Sequence, residues 1–253
     1  MVKHAYSLKV PKKLKLAEDF LCEGFHLVLE AFKSDLRIRF VFATKEALNH
    51  PEGLQIKELA KRHKVRCFEV TPQIISYLSD TVSPQGMLAV AKKIDPVLPE
   101  MAGGFLLGVY QVQDAGNMGT LFRSAEAFGV KGLLLTEGCC DPFNPKVVRA
   151  AMGSLFRVPF FVGKTWQEYF DWSKEKEVAS YALTQLASET LVGKTFSTKT
   201  ALWVGSEGEG LPTELIEACE GRLLIPMSGS VESLNVAVAA SIAMFQTGLS
   251  NKA

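Results

Sequence analysis

Apolar and polar positions form two alternating series along the chain, in which short apolar runs are separated by stretches with apolar residues three or four apart. In the first series these patterns predict strands at 37–44, 65–70 and 86–94, and helices at 19–34, 54–63 and 71–80. The stretch "DPVLPEMAGG" follows, and its two prolines and glycine pair indicate a boundary loop. We therefore expect a small α/β domain over residues 1–96.

The second series begins at Phe105 and has the pattern of a larger domain. Its apolar runs predict strands at 105–112, 132–138, 157–162, 177–183, 201–205 and 222–227, with helices between most of them. A mostly parallel sheet with helices on both faces is the expected architecture of residues 97–253. A final helix, from about Leu234 to Leu249, carries hardly a charge, so we expect it to be buried in a core or against a second subunit.

Charge is distributed unevenly along the chain, whose overall net charge is +1. Residues 1–100 carry 16 Lys and Arg against 12 Asp and Glu, whereas residues 101–253 carry 12 against 15. The lysines that precede the first acid, Glu18, are Lys3, Lys9, Lys12, Lys13 and Lys15. This basic arm suits a phosphate backbone, although a solvated, frayed terminus explains the same residues equally well.

Composition excludes several classes of protein. The five cysteines show no C-x-x-C spacing, which favours reduced thiols over a disulfide framework or a zinc site, so no metal is expected. All four histidines lie at or before His63, which removes imidazole chemistry from the rest of the chain. The lysine-rich start lacks the apolar core of a signal peptide, and no apolar run reaches the ~20 residues that span a bilayer. We expect a cytoplasmic protein without membrane contact.

Polar residues cluster after three of the predicted strands, and α/β sheets bind ligands outside the carboxyl ends of their strands. After the strand at 105–112, "QDAGNMG" offers Asn117 as a helix cap, and Arg123 lies further along the same helix. The alternative is that Asn117 only caps the helix and that Arg123 is only a surface residue, which would explain both without a ligand. The third of these loops lies in "IPMSGSVESLNVAVAAS", where Ser233 and Asn235 flank the start of the final helix. Capping explains either residue, but less readily the pair.

The second loop, "GSEGEGLP" at residues 205–212, has three glycines but neither a dinucleotide fingerprint nor a phosphate-binding P-loop. Glu207 and Glu209 would repel phosphates, so its ligand should be neutral or cationic. The alternative is a flexible turn before a helix that Pro212 opens.

These segments resemble those of a known family. "NMGTLFRSAEAFGV", "LWVGSEGEGLP" and "IPMSGSVESLNVAVAAS" look like the three motifs of the SpoU (TrmH-type) RNA ribose methyltransferases of the SPOUT superfamily, in the family's order. "NPKVVRAAMGSLFRVP" is similar to the stretch between the first two motifs. The resemblance covers residues 105–246. The residues upstream resemble, more loosely, the family's ribosomal-protein-like substrate-binding domain, with the usual longer basic segment shortened to "KVPKKLKLAED".

The resemblance implies a deep trefoil knot that binds S-adenosylmethionine and transfers its methyl group to a ribose 2′-hydroxyl. Carried over by position, the catalytic residues are Asn117, Arg123, Glu207, Ser233 and Asn235. The implied cofactor contacts are Leu202, Val204, Gly205, Gly210, Ile225, Met227, Leu234, Asn235 and Ala237. A sulfonium is cationic, which fits the acidic glycine loop, and it carries its own leaving group, so neither metal nor imidazole is needed.

Arg123 is often described in the family as the base that activates the hydroxyl. A guanidinium stays protonated in proteins, so we expect Arg123 instead to donate hydrogen bonds to a phosphate or a developing alkoxide.

The expected activity is therefore S-adenosylmethionine-dependent RNA 2′-O-methylation, with ribosomal RNA favoured because two-domain members with this N-terminal unit mostly resemble the ribosomal RNA enzymes. The alternatives are a transfer RNA substrate or a catalytically silent RNA-binding or assembly factor. A different nucleotide-using α/β enzyme is disfavoured by the lack of a phosphate-binding fingerprint. Relatives pair across the knot, so a homodimer that binds RNA is expected.

Overall fold

The computed structural model describes residues 1 to 98, 103 to 228 and 233 to 250. The chain divides into two compact units, each with its own sheet. The first unit comprises Met1–Asp95 and Asp141–Arg157, and the second comprises Pro96–Cys140 and Val158–Ala253.

The first unit is built on a four-stranded mixed sheet in the part of the chain that the structure describes. Its elements up to Lys92 are α1 (Val2–Ser7), α2 (Pro11–Leu16), β1 (Asp19–Glu23), α3 (Phe25–Lys33), β2 (Ile38–Ala43), α4 (Lys45–Asn49), α5 (Pro51–Arg62), β3 (Arg66–Glu69), α6 (Pro72–Leu78) and β4 (Met87–Lys92). The strand order is β1-β4-β2-β3, with β4 antiparallel to both neighbours and β3 parallel to β2. The three strands predicted for this region are confirmed.

The helix predicted at 19–34 is wrong over its first five residues, which form β1. Phe20, Leu21 and Cys22 are all buried, so this strand lacks the apolar and polar alternation that would have identified it. Gly24 then separates β1 from α3 with φ of 91°, a conformation that L-residues rarely adopt. A glycine inside a predicted helix was the signal for this break.

The basic arm is folded, so the frayed-terminus interpretation is wrong. It forms α1 and α2, and Ala5, Leu8 and Leu14 are buried beneath them. The Lys93 ammonium donates to the Leu14 carbonyl oxygen at 2.6 Å, which fixes α2 to the end of β4. The arm's lysines are therefore presented on a fixed surface.

The second unit contains seven parallel strands within the described ranges. The elements from Gly104 onward are β5 (Gly104–Val109), α7 (Ala115–Phe128), β6 (Gly132–Thr136), α8 (Pro145–Ala151), β7 (Phe160–Lys164), α9 (Trp166–Glu175), β8 (Ala179–Leu183), β9 (Glu189–Thr190), β10 (Lys199–Val204), α10 (Thr213–Ala218), β11 (Gly221–Leu224) and α11 (Val236–Ser250). The strand order is β7-β6-β5-β10-β8-β11-β9. This confirms the predicted parallel sheet; β9, which is two residues long and exposed, was not predicted.

Helix α8 belongs to the first unit, although the segments on both sides of it in sequence belong to the second. The Phe20 ring of β1 lies 5.0 Å from the ring of Phe143 and 6.0 Å from that of Phe156. Arg157 adds an ion pair with Glu30 at 2.7 Å. Apolar packing thus places residues 141–157 with the first unit.

Helix α11 is buried on one face only. Ala240, Ala243 and Met244 are fully buried, and the Ser241 hydroxyl lies 2.7 Å from that of Ser124 on α7. The opposite side of α11 exposes Val238, Ile242 and Phe245, whose exposed fractions are 48%, 39% and 50%. Their spacing of four and three residues puts them in one apolar stripe. The predicted burial of this helix is therefore confirmed for one face and not for the other.

Candidate functional site

Four adjacent strands of the second sheet direct their connecting loops to one edge. Because β5, β10, β8 and β11 are parallel neighbours, their carboxyl ends lie side by side. The Tyr110 amide donates to the Val204 carbonyl oxygen at 2.9 Å, so the β5–β10 pairing extends into the first loop. The described parts of the three loops that the sequence singled out therefore share this edge, together with the loop after β8; residues 229–232 of the third loop lie outside the described residues.

The side-chain amide of Asn117 connects all three motifs. Its nitrogen donates to Glu207 Oε1 at 2.9 Å, and its oxygen accepts from Asn235 Nδ2 at 3.0 Å. Asn235 in turn caps α11, since its Oδ1 accepts from the amides of Ala237 at 2.9 Å and Val238 at 3.3 Å. One amide thus joins the start of α7, the glycine loop and the start of α11.

The prediction that Asn117 caps α7 is wrong. Asp114 is the cap, and its carboxylate accepts from the Asn117 backbone amide at 2.8 Å. Asn117 lies inside the first turn of the helix, which leaves its side chain available for the bonds to Glu207 and Asn235.

Glu207 is held as a carboxylate by this arrangement. Partial burial acts to raise its pKa, but hydrogen bonds from the Asn117 side chain and from the backbone amides of Glu207, Asp114 and Gln113 hold that pKa below its usual range. The site therefore carries a negative charge at neutral pH.

The glycine loop closes on itself at its two ends. Ser206 and Gly210 exchange backbone hydrogen bonds of 3.1 and 3.2 Å. A Cβ atom at Gly205 would lie 2.0 Å from the Gly210 carbonyl carbon and 2.3 Å from the Leu211 nitrogen, so only glycine fits there. A Cβ at Gly208 would meet nothing within 4 Å. Glycine is therefore required at Gly205, where the two ends of the loop meet, and not at Gly208.

A cavity of about 570 Å³ lies against this loop. Its lining comprises Leu183, Thr184, Gln185, Leu186, Val204, Gly205, Ser206, Glu207, Gly208, Glu209, Gly210, Leu211, Ile216, Ile225, Ser233, Leu234, Asn235, Val236 and Ala239. Two carboxylates and no lysine, arginine or histidine are among these lining residues. The cavity thus combines apolar walls with a negative rim.

The predicted site residues other than Arg123 fall into three groups. Those that line the cavity are Val204, Gly205, Glu207, Gly210, Ile225, Ser233, Leu234 and Asn235. Leu202 and Ala237 are buried beside the cavity-lining residues without being part of the lining, and Met227, which is partly buried, is not part of it either. Asn117 reaches the lining through its two hydrogen bonds.

Arg123 stands apart from this network. It is exposed on α7, six residues after Asn117, which corresponds to about 9 Å along the helix and about 120° around it. Within the described part of the chain its guanidinium has no hydrogen bond or ion pair. A single chain does not bring Arg123 to the cavity.

Sequence reasoning missed the loop after β8. Leu183, Thr184, Gln185 and Leu186 line the cavity because β8 lies between β10 and β11 in the sheet. The strand itself was predicted, but its place in the sheet was not, and the loop has no glycine pattern to single it out.

The described ranges, 1–98, 103–228 and 233–250, offer neither a metal site nor a membrane-spanning helix. No group of three or more His, Cys, Asp or Glu in these ranges could hold a metal ion. Within the same ranges, no helix has the length and apolar character needed to cross a membrane.

The fold and the site define an α/β protein with a ligand cavity at the carboxyl edge of a parallel sheet, preceded by a separate smaller unit. The SpoU rRNA Methylase family matches residues 104–245, and the MRM3-like substrate binding domain matches residues 1–89. The chain belongs to the SpoU rRNA methylase family.

Individual relatives can be aligned with this chain along nearly its whole length. The 23S rRNA (guanosine(2553)-2'-O)-methyltransferase RlmP of Bacillus subtilis is 32% identical, over 96% of this chain and 94% of the relative. The AdoMet-bound rRNA methyltransferase of Sinorhizobium meliloti is 27% identical with a TM-score of 0.85, covering 97% of this chain and 93% of its own. The SpoU methyltransferase AviRb of Streptomyces viridochromogenes, in complex with AdoMet, shares the fold with a TM-score of 0.90, at 23% identity and coverage of 99% and 97%.

Proposed function

We propose that this protein is an S-adenosylmethionine-dependent RNA 2′-O-ribose methyltransferase that acts on ribosomal RNA. The observation that carries the proposal is the hydrogen-bonded junction of Asn117, Glu207 and Asn235, which joins the three family motifs beside one cavity. The Bacillus and Sinorhizobium relatives are rRNA methyltransferases, which supports ribosomal over transfer RNA.

The cavity suits the cofactor chemically. Its apolar walls fit an adenine and its closed glycine loop offers backbone groups to the adenosyl moiety. The carboxylates of Glu207 and Glu209 favour a cation and oppose a polyphosphate. When bound, S-adenosylmethionine supplies an electrophilic methyl group on its sulfonium. Val204, Gly205, Gly210, Ile225 and Leu234 are the lining residues that we assign to holding it.

The polar residues around the cavity have distinct proposed roles. The network of Asn117, Glu207 and Asn235 fixes the positions of the three motifs, and Ser233 is a further polar group for the ribose. Arg123 remains protonated and donates to the negative charge that develops on the attacking oxygen or to the adjoining phosphate. Since neither a metal nor an imidazole is part of this proposal, transfer depends on positioning and on charge.

We also propose that the chain acts as a homodimer with the knot typical of the family. The exposed apolar stripe of Val238, Ile242 and Phe245 supports pairing, because the exposure of such a stripe to water is unfavourable and a second copy would cover it. The position of Arg123, on a different face of α7 from Asn117, supports a site that receives this arginine from a second copy.

The two units have different proposed roles. The first unit holds the RNA and the second carries out the transfer, with the functional boundary near residue 96. Cytoplasmic location stays a prediction.

Calorimetric titration and methyl transfer test this function together. The protein should bind S-adenosylmethionine, show no binding of ATP, and transfer a labelled methyl group from S-adenosylmethionine to a ribose of ribosomal RNA. Transfer to transfer RNA instead would select that substrate. RNA binding without any transfer would identify the silent assembly factor, and ATP binding would place the chain in a different class of enzyme.

A further inference from the structure

Two tyrosines on the first unit form an exposed stack. The Tyr6 ring on α1 and the Tyr77 ring on α6 lie 4.3 Å apart at their centroids, with 9° between their planes. The exposed fractions are 38% for Tyr6 and 52% for Tyr77. In the described part of the chain neither phenol hydroxyl has a hydrogen-bond partner. We call this pair the tyrosine platform.

Lys9 holds the platform in place. Its ammonium lies 5.7 Å from the centroid of the Tyr6 ring, donates to the Ser79 carbonyl oxygen at 2.6 Å, and pairs with the Asp80 carboxylate at 3.0 Å. These contacts attach the arm to the end of α6. The positive charge of Lys9 is largely balanced by the Asp80 carboxylate. The platform is therefore preorganised, so a flat ligand would lose little entropy in ordering these rings.

A basic groove adjoins the platform, because Lys9, whose ammonium lies over the Tyr6 ring, is also one of its lining residues. This lysine groove has a volume of about 280 Å³ and is lined by Lys9, Pro11, Lys12, Leu14, Lys15, Asp141, Asn144 and Pro145. Lys12 and Lys15 are exposed and make no ion pair among the described residues. Asp141 and Asn144 accept from backbone amides of their own segment, at 2.9 Å in both cases. Lys12 and Lys15 together outweigh Asp141, the one carboxylate of this lining, so the net charge of the groove is positive.

We propose that the tyrosine platform and the lysine groove together bind an unpaired segment of the substrate RNA. An unstacked nucleobase continues the stack on Tyr77, the more exposed ring, while Lys12 and Lys15 contact the phosphates that follow it. Aromatic rings beside a cationic track are the combination by which proteins hold single-stranded nucleic acid. In a duplex the bases are already stacked, so the platform selects unpaired RNA. This inference rests on the proposed function, since it takes RNA as the substrate.

The test uses the full-length protein and three synthetic ligands: an unstructured RNA of about eight nucleotides, an abasic strand of the same length, and a duplex of that length. The wild type should bind the unstructured RNA most tightly. Tyr77→Ala should weaken its binding roughly 5-fold or more without changing the slope of log affinity against log salt. Because the abasic strand keeps the phosphates but offers nothing to stack, its affinity should not change.

Two variants separate stacking from other effects. Tyr77→Phe keeps the ring and should bind the unstructured RNA within about twofold of the wild type. Lys12→Glu should weaken the unstructured and abasic strands alike and reduce the salt slope of both. If Tyr77→Ala weakens the two strands equally, the tyrosines only support the fold of the arm, and the platform is excluded. Equal wild-type affinity for the duplex, or no binding of the unstructured RNA, would also overturn it.

Methyl transfer distinguishes this inference from the proposed function. If the platform is wrong, cofactor binding and transfer to ribosomal RNA by the wild type persist while the contrast between intact and abasic strands is absent. If the proposed function is wrong, the wild type fails to bind S-adenosylmethionine or to transfer its methyl group, whatever the variants of Tyr77 do.

Discussion

The candidate ligand surfaces of the two units are of opposite kinds. In the second unit the site is made of backbone turns, a short amide network and a concave wall without cationic side chains among its lining residues. In the first unit the candidate contacts are exposed side chains: Tyr6, Lys12 and Lys15 on the folded arm and Tyr77 on α6. The former suits one small ligand of fixed shape, and the latter suits a long, flexible polyanion.

This difference predicts how the units respond to substitution. Changes in the second unit should act on cofactor affinity or on the rate of transfer, with little dependence on salt. Changes in the first unit should act on RNA affinity, in graded steps. Each of the following experiments tests that division.

The largest effect is expected for Arg123→Ala. A donor aimed at developing negative charge matters chiefly in the transition state, so the single-turnover rate should fall on the order of 10²–10³-fold. The affinity for S-adenosylmethionine should be unchanged, because the negative charge that Arg123 contacts is absent before transfer begins. Arg123→Lys should restore only part of the rate, since an ammonium lacks the planar fork. Near-normal single-turnover methylation by Arg123→Ala would rule out the role.

The next effect is expected at the closed glycine loop. Gly205→Ala places a Cβ against the backbone of Gly210, so the loop must open. Strain of about 1–3 kcal/mol corresponds to a loss of cofactor affinity of roughly 5- to 150-fold, measured by calorimetry. Gly208→Ala is the matched control, because its Cβ meets nothing. If both variants bind alike, the closure of the loop does not determine cofactor binding.

The sequence predicted the architecture and two of the three segments that line the candidate cavity, because both depend on local patterns. The parallel strands carry continuous apolar runs, and the residues around Glu207 and Asn235 form motifs that are contiguous in sequence. The rest depends on tertiary packing. The strand at Phe20 lacks alternation because both of its faces are buried, and residues 141–157 join the first unit through rings at Phe143 and Phe156 that contact Phe20.

Two features of the site could not be predicted from the sequence, because they also depend on the tertiary structure. Asn117 and Asp114 are both good capping residues, and only the backbone conformation decides that Asp114 is the cap. The cavity wall at Leu183–Leu186 follows from the place of β8 between β10 and β11, which no local pattern specifies.

A third experiment tests whether the exposed stripe of α11 is an interface. Ile242→Glu removes burial worth about 1.5–3 kcal/mol and adds a charge, so self-association should weaken at least roughly tenfold. Leu54→Glu, at an exposed apolar position of α5 in the first unit, is the control and should leave association unchanged. The mass is measured by light scattering. A wild type that is monomeric at micromolar concentration would contradict the dimer.

A smaller, graded effect is expected for the lysine groove. Replacing Lys12 and Lys15 together with glutamate should reduce the slope of log RNA affinity against log salt by about 0.7 for each phosphate that the protein no longer neutralises. Cofactor affinity should not change. Lys45→Glu is a suitable control, because this lysine is exposed at the first position of α4, where an acid is favourable. An unchanged slope in the double variant would show that the arm does not contact phosphates.

The smallest effect concerns the pH dependence of stability through Glu207. Because hydrogen bonds hold its folded-state pKa below the usual value, Glu207 contributes stability above its unfolded pKa of about 4.3 and loses it as the pH falls through the lower folded pKa. Glu207→Gln retains an oxygen that can accept from Asn117 but has no charge. The difference in free energy of unfolding between wild type and variant, measured in urea, should therefore be constant from about pH 8 to pH 5 and should shrink below about pH 4.

Glu207 is exposed, so solvent screens its charge and the difference should be small. A difference that grows as the pH falls would mean that the network favours the protonated acid, and the negative rim assigned to the cavity would then be wrong.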